Sequence, residues 1–284
     1  MMGSTQITTA YISHGGGPLP LLEMQSSEAA ARPNYHREMI DVLTALSEEI
    51  PKPNAIVVVS AHWESREINV TTNAYPTLIY DYYGFPEEAY SIRYDAIGEP
   101  SLATSIVDGL NKKGINASGN GTRGFDHGMF IPLSIMYPDA DIPVVQLSLA
   151  ADLNAAKHVA LGEALRDILA AHQSMDRILV LGSGSSFHNM KGFFDNSDVA
   201  LKRARNFNAW LQDTVHSSAY SESERKGKLI EWFKGPNALY AHPREEHLLP
   251  LHVCYGLNNR ASDKAISLTL LTKPASMFLW QNTL

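Results

Sequence analysis

Two apolar β-branched runs restrict most strongly what this chain can fold into. Residues 55–60 read AIVVVS and residues 177–182 read RILVLG. Both are continuous rather than alternating, the pattern of a strand covered on both faces. Strands of that kind need helices above and below them, and the intervening segments carry helical spacing. Residues 34–50 place Met39, Ile40, Val42, Leu43 and Leu46 on one apolar face before Pro51 and Pro53. Further helices are expected over residues 100–113, 154–172 and 198–216. A last one should start near Pro243, since Pro suits the first helical position. Further strands are expected over residues 8–13, 67–72, 142–149, 267–271 and 275–280. Residues 75–94, rich in Tyr, Pro and Gly, and residues 121–128 read as loops, and residues 217–228 as a polar surface connection. Strands alternating with helices predict an α/β fold: one catalytic domain over residues 1–284, with a central mostly parallel or mixed sheet flanked by helices.

The composition suits such a core, with 44% hydrophobic and 19% charged residues among 284. A formal net charge of −7 supplies no electrostatic reason to bind nucleic acid or anionic lipid. No apolar run approaches the ~18 residues of a membrane span. Residues 1–9 lack a basic segment followed by an apolar stretch, so no signal peptide is expected. Cys254 is the only cysteine, which excludes an internal disulfide and fits a reducing, cytoplasmic setting. It sits in an apolar run, where a buried, inert thiol is expected. The sequence leaves a homo-oligomer open.

The eleven histidines carry more information. His14, His62 and His188 share one context: each follows a strand-like run and lies in a turn of small residues. Open α/β sheets gather ligands at the carboxyl ends of their strands. If the three strands are parallel neighbours, the three imidazoles converge. His127 (in FDHG) and His247 (in HPREEH) are two further candidates. With Pro243 opening a helix, His247 falls about one turn in and points back toward the helix start. His242 reads as a substitute cap of that helix. His36, His158, His172, His216 and His252 lack such a setting and read as structural.

Imidazole suits Fe(II), Zn and Cu. A catalytic site takes about three protein ligands and keeps positions open, which leaves other histidines for acid–base work. The chain has no HExxH helix, CxxC pair or P-loop. Gly15-Gly16-Gly17 lacks the GxGxxG spacing, and Gly182-Ser183-Gly184-Ser185 is not GxSxG.

Five segments in order, SHGGGP around His14, VVVSAHW around His62, GFDHG around His127, SGSSFHN around His188 and HPREEHLLPL around His247, resemble the class III extradiol ring-cleaving dioxygenases. The likeness is to the 4,5-DOPA-dioxygenase-like branch, and YDYYGFPEEAY and MYPDADIPVVQLSL share it. The resemblance implies an enzyme that binds a catechol at a non-haem Fe(II), admits O2 there and opens the ring beside the two hydroxyls. By the motif match, it implies His14, His62 and His247 as metal ligands. It implies His188 as the acid–base residue, near enough to ligate the metal when substrate is absent, and His127 as a substrate contact that shares the acid–base work. Many such enzymes use two histidines and one carboxylate, whereas the third matched position here is His247, beside Glu245 and Glu246. A shell of three neutral histidines would also hold Zn(II), so purified protein carrying zinc is expected alongside the iron form. The alternatives are a zinc-dependent hydrolase on the same scaffold and a non-catalytic metal-binding relative.

Overall fold

In the computed structural model, which describes residues 5–25, 35–172 and 174–281, the chain opens on strand β1 (Gln6–Ser13) and helices α1 (Leu19–Gln25) and α2 (Arg37–Glu49). Met1 to Ser4, part of the stretch read for a signal peptide, lie outside the described residues, as does the first residue expected in α2. Strands β2 (Ala55–Ser65) and β3 (Ile68–Thr71) follow, then α3 (Pro100–Lys112), β4 (Ala117–Asn120), α4 (His127–Met136), β5 (Val144–Ala150), α5 (Ala155–Ala170) and β6 (Arg177–Gly184). The C-terminal part holds α6 (Met190–Phe193), α7 (Asp198–His216), α8 (Glu222–Ile230), α9 (Ala238–Ala241), α10 (Leu249–Asn258), β7 (Lys264–Leu270) and β8 (Lys273–Trp280).

The strands form one mixed sheet in the order β4-β3-β5-β2-β6-β1-β8-β7. Four neighbouring strand pairs, β1/β6, β2/β5, β2/β6 and β3/β4, are parallel, and the other three are antiparallel. Both β-branched runs fall at the centre, as β2 and β6, with residues 55–60 and 178–182 buried. The α/β fold with a mixed sheet flanked by helices is therefore as the sequence predicts. The condition set for three of the histidines is met in part: β2, β6 and β1 are adjacent and parallel, and His14 and His188 follow strands that end on the same edge, while His62 lies within β2. Among the described residues no helix is long and apolar enough to cross a membrane.

Three expectations for the C-terminal part fail for identifiable reasons. Residues 217–228 are not a plain connection, because α8 forms behind a capping box in which Ser221 and Glu224 satisfy each other's backbone N–H. The last major helix starts at Leu249, not near Pro243. The carbonyl of His247 accepts from the Tyr11 hydroxyl at 2.8 Å and from the Ser185 N–H at 3.0 Å. Two long-range donors thus claim a group that a helix would turn to its own fourth neighbour, and Pro250 takes the place in the first helical turn. His242 accordingly caps no helix start: it follows α9, and its buried ring donates Nε2–H to the Ser186 carbonyl at 3.0 Å.

Candidate active site

Five imidazoles meet at the carboxyl edge of β1, β2 and β6. His14 directly follows β1, and its Nδ1 lies 2.9 Å from the Ser183 hydroxyl. That hydroxyl donates to the Gly128 carbonyl, so it accepts from His14. The assignment gives His14 the Nδ1–H tautomer and leaves Nε2 as a bare lone pair. This Nε2 is 3.0 Å from Nε2 of His62. His62 does not lie beyond a strand end, as its sequence context suggested. β2 continues to Ser65, and its pairing with β5 jumps from Val59↔Leu147 to Glu64↔Leu149. The irregularity holds residues 60–63 out of the β5 ladder, and bulges of this kind re-aim side chains.

His127 is the first residue of α4 rather than part of a loop. Its backbone N–H and its Nδ1 both meet Asp81 Oδ1, at 3.0 and 2.8 Å, and the other oxygen of Asp81 is 3.7 Å from His62 Nδ1. Asp81 comes from the aromatic loop before α3. Tyr82 in that loop sets its ring centroid 5.7 Å from that of His127, and Tyr80 and Tyr82 anchor their hydroxyls on the carbonyls of Ile92 and Ala89. Opposite, Glu246 Oε1 accepts from His247 Nδ1 at 2.9 Å and faces His188 Nδ1 at 3.2 Å. The backbone of β6 passes so close here that a Cβ on Gly184 would come 2.1 Å from the His247 carbonyl oxygen. Only glycine fits that crossing.

The ring centroids complete the cluster. His14 lies 4.7 Å from His62, 5.4 Å from His127 and 5.1 Å from His247. His62 lies 3.9 Å from His127 and 4.9 Å from His247. All five predicted site histidines are therefore together. Ligand atoms of His14, His62 and His127 fall within 4.8 Å of one another, and so do those of His188, Glu246 and His247. Sequence reasoning missed Asp81 and the bridging role of Glu246, and saw Ser183 only as part of a failed nucleophile motif. Asp81 had no local signal, being 46 residues from His127. Three of the histidines read as structural are bonded into the scaffold: His36 accepts from the Gly16 N–H, His158 from the Ala150 N–H, and His252 donates Nε2–H to the Leu229 carbonyl at 2.8 Å. Cys254 is buried, and burial pushes its thiol up to about 12.

Burial, followed by the charges of neighbouring histidines, holds His14 and His247 far below the usual imidazole range and His62 at about 3. All three are neutral lone-pair donors near neutral pH. Burial pushes Asp81 and Glu246 upward, yet the hydrogen bonds and charge of His127 and His188 outweigh it, and both carboxyls lie below their ordinary values. The donor set suits a first-row divalent metal: neutral imidazoles gather here, with Nδ1 of His14 held by the Ser183 hydroxyl, Nδ1 of His247 held by Glu246, and Nδ1 of His62 turned toward Asp81 at 3.7 Å. Two nitrogens at right angles on one ion, each at the usual ~2.1 Å, would be ~3.0 Å apart, and the His14–His62 separation is 3.0 Å.

The fold and site define an α/β protein with a histidine cluster at the carboxyl edge of its sheet that could hold a metal ion. The family model described as the catalytic LigB subunit of aromatic ring-opening dioxygenase matches residues 8–278. The chain belongs to this family, the class III extradiol dioxygenases. It is 36% identical to a 4,5-DOPA dioxygenase extradiol of Beta vulgaris, covering 87% of this chain and 85% of that one. It is 34% identical to the dioxygenase tasH of Hapsidospora irregularis, covering 86% and 76%. It is 32% identical to a 4,5-DOPA dioxygenase extradiol of Escherichia coli, covering 88% and 85%. A crystal structure of an uncharacterized protein from Escherichia coli K12 superposes with a TM-score of 0.72 at 25% identity, over 96% of this chain and 99% of that one.

Proposed function

We propose that this protein is an extradiol dioxygenase, one catalytic domain over residues 1–284, that opens a catechol-type ring with O2 at a non-haem metal held by His14, His62 and His247. The observation that carries the reading is the 3.0 Å approach of two neutral Nε2 atoms, His14 and His62, inside a ring of imidazoles in which Nδ1 of His14 and of His247 is tied down. His247 enters as third ligand because Glu246 fixes its Nδ1 and leaves Nε2 free. Fe(II) bound there would supply the redox chemistry that joins O2 to the ring, whereas Zn(II) on the same nitrogens would hold a catechol without oxidising it.

The remaining residues have work set by their contacts. His188, with Nδ1 on Glu246, has Nε2 available to take a proton from a catechol hydroxyl as the substrate binds. His127, with Nδ1 on Asp81, has Nε2 available to contact a substrate oxygen and to return a proton as the ring opens. The loop from Tyr80 to Phe85, packed beside His127, covers the substrate and limits water. The partners are a small aromatic molecule and O2, with no role for nucleic acid or membrane, in a cytoplasmic setting.

The test is anaerobic loading with Fe(II), addition of a panel of catechols and then of isotopically labelled O2. The expected product is a yellow ring-opened semialdehyde that carries both labelled atoms before any exchange. Hydrolysis of an ester or amide by the Zn(II) form, with no labelled product from the Fe(II) form, would favour a zinc hydrolase instead.

A further inference from the structure

Asp126 directly precedes His127 and is fully buried. It does not use its side chain to cap α4. Its Oδ1 accepts from the Ser60 hydroxyl at 2.7 Å, and its Oδ2 accepts from Arg123 Nη2 at 3.0 Å and from the Gln146 amide. Ser60 lies on β2 and Gln146 on β5, so one carboxylate ties together the two strands whose ladder is interrupted at residues 60–63. The same partners reach His62. The Ser60 hydroxyl oxygen accepts the His62 N–H at 3.1 Å, and Arg123 Nη2 donates to the His62 carbonyl at 3.4 Å. The Arg123 guanidinium also lies 4.5 Å over the Trp63 ring. Both backbone polar groups of His62 are thus held by atoms that Asp126 holds. Gly128 makes room for the arrangement, since a Cβ there would come 2.6 Å from the Ser60 hydroxyl oxygen and 3.2 Å from Asp126 Oδ1.

A buried carboxylate is costly unless its partners are complete. An apolar residue could fill the space between β2 and β5, but it could not bind three donors from three segments. We infer that Asp126 is a positioning residue: through Ser60 and Arg123 it fixes the bulged backbone of His62 and aims that imidazole at His14. The inference rests on the reading of His14 and His62 as metal ligands.

Its test compares wild type, Asp126→Asn and Ser60→Ala. Each is titrated with Co(II), followed by visible absorption, and the metal-free forms are melted thermally. The expected result is a Co(II) affinity roughly 10–100-fold weaker in both variants, the usual cost of losing a group that orients a metal ligand, with shifted absorption bands in folded protein. A role in stability alone would lower the melting temperature and leave affinity and bands as in wild type, and that result overturns the inference. If Asp126→Asn does not fold, Ser60→Ala decides on the same readouts, because it removes only the hydroxyl between Asp126 and the His62 N–H. A wild type that binds no Co(II) would instead overturn the metal-site reading.

Discussion

The imidazoles of His188 and His247 stack face to face, with centroids 3.4 Å apart and planes 14° from parallel. Both turn Nδ1 to the same oxygen of Glu246. One carboxylate therefore orients a proposed metal ligand and the proposed acid–base residue together. Glu246→Ala should weaken metal binding roughly 10–100-fold and lower turnover as well. Glu246→Gln keeps an acceptor oxygen and should lose less on both counts. Metal titration and steady-state kinetics on the two variants check this, and a Glu246→Ala protein equal to wild type would refute the shared orientation.

The third metal ligand is open to a direct contest. His127 is nearer to His62 than His247 is, at 3.9 against 4.9 Å between centroids, while His247 is nearer to His14, at 5.1 against 5.4 Å. His62→Ala and His247→Ala should each remove most of the metal, and His127→Ala should keep it. Elemental analysis of the purified variants gives the answer. Retention by His247→Ala together with loss by His127→Ala would exchange the two roles.

His188 should matter for turnover more than for metal retention. In His188→Gln, metal and a non-reacting catechol analogue should still bind, while turnover falls by roughly 10²–10⁴, the usual worth of a general acid–base group. Loss of the metal in that variant would make His188 a ligand.

His252 should make the fold acid-sensitive. Burial pushes its pKa down to about 4 from a usual value of 6.5, offset in part by its bonds to the Leu229 and Leu248 carbonyls. Between those values the unfolded chain binds a proton that the folded protein excludes. The stability from this residue is thus complete above the unfolded value and is lost as pH falls toward the folded one. The loss is on the order of 3 kcal/mol, at ~1.4 kcal/mol for each pKa unit. Urea unfolding of wild type and His252→Gln at about pH 7.5 and about pH 4.5 measures it. The variant should be less stable overall but show a pH dependence flatter by about that amount. Parallel pH profiles would show that His252 is not the group responsible.

Much of this was legible in the sequence, because burial on both faces of a strand leaves a continuous apolar run and the runs at 55–60 and 177–182 became β2 and β6. The gathering of His14 and His188 followed from their place after parallel strands, whereas His62 joins them from within β2, through an irregularity that its sequence does not announce. What stayed hidden depends on long-range contacts. The segment from Pro243 to Leu248 looks like a helix start, but the His247 carbonyl is taken by Tyr11, 236 residues away. Asp81 looks like one acidic residue in an aromatic loop until the fold brings His127 onto it. The Ser221–Glu224 capping box was visible by spacing, and the polar composition around it masked the helix.

Oxygen uptake by the Fe(II)-loaded protein with a bound catechol tests the central claim most directly. An oxygen electrode should record one O2 consumed per catechol opened, no uptake from the Zn(II) form, and uptake reduced by orders of magnitude in His188→Gln. No uptake across a broad catechol panel, with iron in place and catechol bound, would contradict it.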